Sequence, residues 1–232
     1  LYKVCGNKMR VFKGVFVIFV ITAMAVSPYM REISENYVYQ MGTLVYLISS
    51  FITFVEGRVF ERVWAGGFLF LALYSLINSF KLPQEFYYIA DALYMGAYLM
   101  FFTGSAWYMW NEGSRVYLML IFILLLLSPF VSYYLAVQIE PAFVSRIGTF
   151  FNILYMFLGI LNTILIFPPA FYDRAWTIRF IAFGIYAVSE IWFFLWLFYG
   201  YTSTDISIIW LMPTTIAVLS QKMDIKRYLR PR

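Results

Sequence analysis

The amino-acid sequence predicts an all-α integral membrane protein of eight transmembrane helices in one bundle, with the N and C termini in the cytoplasm. Three observations carry this expectation. Of 232 residues, 63% are hydrophobic and 12% are charged, whereas a soluble domain carries about 45–50% apolar and about 25% charged residues. Apolar runs of bilayer-spanning length recur along the whole chain, separated by short stretches of Gly, Pro and charge. Lys and Arg fall almost wholly on one side of those runs.

The elements follow in order. Residues 1–10 form a basic N-terminal segment, and 11–29 the first apolar run. That run is long for a signal h-region and further membrane segments follow it, so it reads as a span and not as a cleavable leader. The turn at Arg31-Glu32 leads to a second span, 37–56, and Glu56-Gly57-Arg58 to a third, 64–80, which is the shortest expectation in the first half. Lys81-Leu82-Pro83 precedes a fourth span, 86–110, and Asn111-Glu112-Gly113 a fifth, 114–137. Glu140-Pro141 separates it from the sixth, 146–169, which closes on Pro168-Pro169. The seventh covers 176–200, and Thr202-Ser203-Thr204-Asp205 leads into the eighth, 205–221. The transmembrane domain therefore covers 11–221, followed by a basic cytoplasmic tail, 222–232, suited to anionic lipid headgroups. Backbone in lipid must satisfy its own hydrogen bonds, and no strand-like alternation is present, so the spans are predicted as helices. Pro129 and Pro213 lie inside the fifth and eighth and should bend them, with Thr214 and Thr215 able to serve freed carbonyls.

Orientation rests on charge. With the N terminus inside, the inner segments hold 14 Lys and Arg and the outer ones 3, namely Arg31, Lys81 and Arg146. This is a positive-inside pattern, and it explains the net charge of +5 without nucleic acid as a partner. Tyr29, Tyr37, Tyr39, Tyr87, Tyr88, Tyr133, Tyr134, Tyr199 and Tyr201 are expected at the outer boundary, and Trp64, Trp107, Trp110 and Trp176 at the inner one, as headgroup-level anchors.

Histidine is absent and Cys5 is the one cysteine. The commonest general base, the commonest zinc ligand and any intramolecular disulfide are thereby missing. No Gly-rich phosphate loop, paired-aspartate motif or nucleophile constellation is present, and no cofactor is expected. What remains is a small set of polar residues inside apolar runs. Asp91 and Glu190 are the two clear intramembrane acids, which are costly in lipid and mark functional sites by default. At about 1.5 Å rise per residue both fall in the outer half, with Asn152, while Asn78 and Gln40 lie near outer ends. Inner-half polar groups such as Thr53, Ser105 and Asn162 are uncharged. Tyr94 and Tyr98 share a helix face with Asp91, and Tyr186 with Glu190. An outward-facing pocket lined by Asp91, Asn152, Glu190, Tyr94, Tyr98 and Tyr186 is the resulting expectation. The same side chains would equally serve as interhelical glue.

Three stretches carry a family likeness. They are Arg62-Val63-Trp64 running to Asn78 and Ile89-Ala90-Asp91-Ala92-Leu93-Tyr94 with Tyr98; Asn152-Ile153-Leu154-Tyr155; and Val188-Ser189-Glu190 followed by Tyr199-Gly200-Tyr201, Asp205 and Trp210. Over about residues 60–215 the chain resembles the polytopic sensory region N-terminal to some bacterial diguanylate cyclases and histidine kinases. It departs from that pattern at Glu190, where an Asp is expected, at Asn78 and Gly159, where acids often occur, and at Met156, where a proline is expected. The Ser189-Glu190 stretch alone resembles the eight-helix lysoplasmalogenase-like family. The sensory likeness implies a stand-alone receptor-like module that binds a small or lipidic ligand, surrounded by membrane lipids, and that passes its signal to a separate partner protein. Two other classes stay open on the residues. One is an intramembrane lipid-processing enzyme using the two carboxyls as acid and base, and the other is a transporter or accessory subunit.

Overall fold

Apolar runs flanked by turn residues fold here as helices whose backbone groups are satisfied within each run. The computed structural model describes residues 2–33, 36–80, 82–140, 143–199 and 211–221. The tail 222–232, the turn at Thr202-Ser203-Thr204-Asp205, Tyr201, Trp210 and the start of the eighth predicted span lie outside the described residues. The order is α1 (Tyr2–Ile33), α2 (Tyr37–Glu56), α3 (Val59–Asn78), α4 (Gln84–Glu112), α5 (Arg115–Ile139), α6 (Phe143–Leu165), the single turn α7 (Phe167–Ala170), α8 (Arg174–Tyr199) and α9 (Leu211–Leu219). No strand occurs among the described residues.

Among the described residues, four helical segments are long and apolar enough to cross a membrane, Tyr37–Glu56, Val59–Asn78, Arg115–Ile139 and Arg146–Leu165, with a shorter apolar stretch at Val11–Ser27. The chain is thus an all-α, multi-pass membrane protein. The outer face of α5 fits this: Val116, Met119, Phe122, Leu126 and Phe130 are all exposed, a row of apolar side chains that water would not tolerate on a monomer.

Several boundaries differ from the sequence expectation: α1 already begins at Tyr2, within the segment expected to precede the first span, and two further differences have a plain local reason. The third run starts five residues earlier, at Val59, because Glu61 caps its own helix: its Oε2 accepts the Arg58 backbone N–H at 2.6 Å. The sixth ends at Leu165, because Pro168 and Pro169 cannot continue a helix. The carbonyl that Pro168 leaves without a donor belongs to Ile164, and the Tyr117 hydroxyl of α5 donates to it. Pro129 is accommodated inside α5 in a similar way. The Ser128 hydroxyl donates at 2.8 Å to the Leu125 carbonyl, four residues before the proline. Ser128→Ala is expected to cost about 1 kcal/mol, readable as a shift in detergent unfolding. At Pro213, Thr215 donates to its own helix at the Leu211 carbonyl (2.9 Å), while Thr214 turns to α8.

Packing runs in a ring. α2 packs on α3, α3 on α4, α4 on α6, α6 on α8, α8 on α9, and α9 back on α2. α1 lies outside against α2 and α9, and α5 outside against α6. The α3–α4 pair is close because glycines remove side chains from the crossing: Gly67 meets Phe101, Gly96 meets Phe70 and Gly104 meets Trp64. Inside the ring lies a core rich in aromatic residues, including Phe60, Trp64, Phe68, Tyr94, Phe101, Trp176 and Phe183.

The aromatic anchors divide. Tyr29, Tyr87, Tyr88, Tyr133, Tyr134, Trp107 and Trp110 are exposed as expected of boundary residues. Tyr37 is buried, its hydroxyl donating to the Ala23 carbonyl of α1 at 3.1 Å. Trp64 and Trp176 are 0% exposed and belong to the core.

Candidate functional site

Glu190 sits on α8 with 3% of its surface exposed, so its carboxyl needs partners from neighbouring helices. α4 supplies them. Tyr94 and Tyr98 lie one turn apart on one face, and both hydroxyls donate to the same Glu190 oxygen, Tyr98 at 2.8 Å. Around this centre further phenols close in. The Tyr74 ring of α3 lies 4.6 Å from that of Tyr94, and the Tyr155 ring of α6 lies 4.9 Å from it, edge-on. One turn before Glu190, Tyr186 hydrogen-bonds with Thr214 of α9 and meets Tyr46 of α2. All six helices of the ring therefore send a hydroxyl group to this region.

α6 approaches closely at Gly159. A Cβ there would stand 3.3 Å from the Ala187 Cα and 3.7 Å from both Glu190 Cγ and Tyr98 Cε1.

The structure treats the expected site residues unequally. Glu190, Tyr94 and Tyr98 are in direct contact, and Tyr186 adjoins them on α8. Asp91 is half-buried, and Tyr155 links it to the cluster, its hydroxyl donating to the Asp91 backbone carbonyl at 3.1 Å and meeting the Asp91 carboxyl as well. Asn152 is half-buried one turn before Tyr155, and no side-chain hydrogen bond joins it to the cluster among the described residues. Tyr155, Tyr74, Tyr46 and Thr214 were not expected. Tyr155 had a signal, since it belongs to the Asn152–Tyr155 stretch and follows Asn152 by three, whereas Tyr46 and Tyr74 look like any tyrosine in an apolar run.

Chemically, the centre is the Glu190 carboxyl with two phenol donors and, among the described residues, no Lys or Arg ion pair to it; the Asp91 carboxyl stands at the edge, reached through Tyr155. An ionised carboxyl only accepts, so it can take a proton, a cation or a donor group of a ligand. Among the described residues no set of three Cys, Asp or Glu side chains is placed to hold a metal ion.

A second polar cluster stands at the opposite end of the ring and corrects the expectation that the polar groups buried towards this end are uncharged. Arg179 of α8, 0% exposed, forms an ion pair with Glu61 of α3, 1% exposed. Its Nε donates to the Ser220 hydroxyl at 3.0 Å. The guanidinium lies 4.8 Å from the Trp176 ring centroid, 5.5 Å from Trp64 and 5.7 Å from Phe60, within cation–π range. Trp64 and Trp176 are thus walls of an arginine cage, and this is why they are not boundary anchors. Nearby, Gln221 donates to the Thr53 hydroxyl at 2.6 Å, and Lys13 pairs with Glu56.

Comparison of the chain with known protein families, with curated proteins and with solved structures finds no match.

Proposed function

We propose that the chain crosses the cell membrane eight times as one bundle, both ends cytoplasmic, and acts as a receptor-like sensory module. Its ligand, small or lipidic, engages Glu190 in the outer half of the bilayer, and a separate partner protein reads the change. The observation that carries this reading is the convergence of six helices on one buried carboxyl. Glu190, Tyr94, Tyr98 and Tyr186 are all buried, so a ligand that takes Glu190 must displace a tyrosine hydroxyl. That shifts α4 against α8, and a ligand with unequal affinity for two helix arrangements is what a sensor requires. The topology is supported by the charge asymmetry of 14 against 3. It is also supported by the alternation of helix ends, which puts Lys13, Glu56, Glu61 and Arg179 at one end and the Glu190 cluster towards the other.

The test is native mass spectrometry of the detergent-purified protein beside Glu190→Gln. The wild type is expected to retain a small molecule. The variant is expected to bind it about 10- to 100-fold more weakly, the factor for losing a hydrogen bond to a charged group. A wild type that carries none, or equal retention by both proteins, defeats the reading.

A further inference from the structure

α5 does not follow α4 back along its length. The turn at Gly113-Ser114 joins them, but Tyr117 ties α5 to the Ile164 carbonyl of α6, so the two helices diverge from the turn. A groove of about 890 Å³ opens between them, walled by Phe102, Ala106 and Trp107 on one side and Leu118, Met119 and Phe122 on the other. Trp107, Met119 and Phe122 are each at least half exposed in it.

Two of its polar side chains bond to carbonyls of their own helix. The Thr103 hydroxyl donates to the Leu99 carbonyl at 2.7 Å, and the Asn111 amide to the Trp107 carbonyl at 2.8 Å. A ligand in the groove therefore meets apolar walls. Arg115, exposed, adjoins the lining residue Trp110: its guanidinium lies 4.8 Å from the Trp110 ring centroid and its Nε donates to the Trp110 carbonyl at 3.4 Å. Arginine in this position offers a planar fork suited to phosphate.

We propose that the α4–α5 groove is a lipid site: it seats an acyl chain of an anionic phospholipid whose phosphate rests on Arg115. The proposal relies on the membrane topology above, which puts Arg115 at the cytoplasmic leaflet, where anionic lipids are concentrated. A lipid-soluble chain suits these largely apolar walls, and the cation near them selects charge.

The test uses tryptophan quenching. The full chain is reconstituted in phosphatidylcholine vesicles containing a small fraction of bromine-labelled phosphatidylglycerol or bromine-labelled phosphatidylcholine. The signal of Trp107 and Trp110 is taken as the difference from the Trp107→Phe, Trp110→Phe protein. Brominated phosphatidylglycerol is expected to quench this signal saturably and with about fivefold stronger apparent affinity, the factor for one basic residue at an anionic surface. Arg115→Gln is expected to abolish that preference and leave quenching by brominated phosphatidylcholine unchanged. Equal, non-saturating quenching by both lipids shows ordinary boundary lipid and overturns the site. A protein that fails to float with the vesicles overturns the membrane topology first. A protein that floats and quenches equally overturns the groove alone.

Discussion

Arg179→Met is expected to lower the unfolding free energy by about 3–5 kcal/mol, the cost of stranding one member of a buried ion pair. Methionine fills much of the stem's volume but leaves Glu61 without its counter-charge, and Glu61 is 1% exposed. It also removes the donor to Ser220 and the cation inside the Phe60, Trp64 and Trp176 rings. The double variant Glu61→Gln, Arg179→Met should recover more than half of the loss. The amide carries no charge, and its oxygen can still accept the Arg58 N–H that starts α3. Unfolding in detergent, followed by tryptophan emission, measures all three proteins, and Trp64 and Trp176 report from the cage itself. If the single variant unfolds like wild type, the pair contributes nothing to stability.

Gly104→Ala is expected to cost about 2–3 kcal/mol, at the upper end of overpacking effects. A Cβ at Gly104 falls 2.5 Å from two atoms of the Trp64 ring and 2.6 Å from the Phe60 carbonyl. The carbonyl is helix backbone and cannot move aside. Trp64 cannot swing away either: its ring N–H donates to the Phe101 carbonyl at 3.0 Å, and its ring stands edge-on to Trp176 and Phe183. The strain has to be met by moving α4 off α3. Gly66→Ala is the control, because its nearest neighbour is the flexible Met100 sulfur at 3.7 Å. It is expected to stay within about 0.5 kcal/mol of wild type. Equal unfolding midpoints for the two variants would show that the α3–α4 crossing tolerates a methyl at Gly104.

The helices were legible because run length and turn residues are local signals. The expected 37–56 coincides with α2, and 114–137 differs from α5 by one or two residues at each end. The start of α3 was not legible, because an acid inside an apolar run reads as a loop residue until it is seen capping its own helix. The candidate site was half legible. Tyr94 with Tyr98, and Tyr186 with Glu190, are one-turn spacings that any helical reading exposes. That Tyr94 and Tyr98 meet Glu190 depends on α4 and α8 being neighbours across the ring, which no periodicity states. Trp64 and Trp176 show the limit most clearly. A tryptophan near the end of an apolar run looks the same whether it faces headgroups or surrounds a guanidinium, and only the third dimension separates the two.

Glu61 and Arg179 are 118 residues apart in the chain, and this separation sets a timetable. At roughly 5–20 residues per second of synthesis, Glu61 emerges from the ribosome roughly 6–24 s before the residue that neutralises it. Throughout that interval α3 lacks the guanidinium that pairs with Glu61 in the finished ring, beside the Trp64 that will later flank Arg179. α8 brings that partner, and the ring is complete only once α9 has packed back on α2.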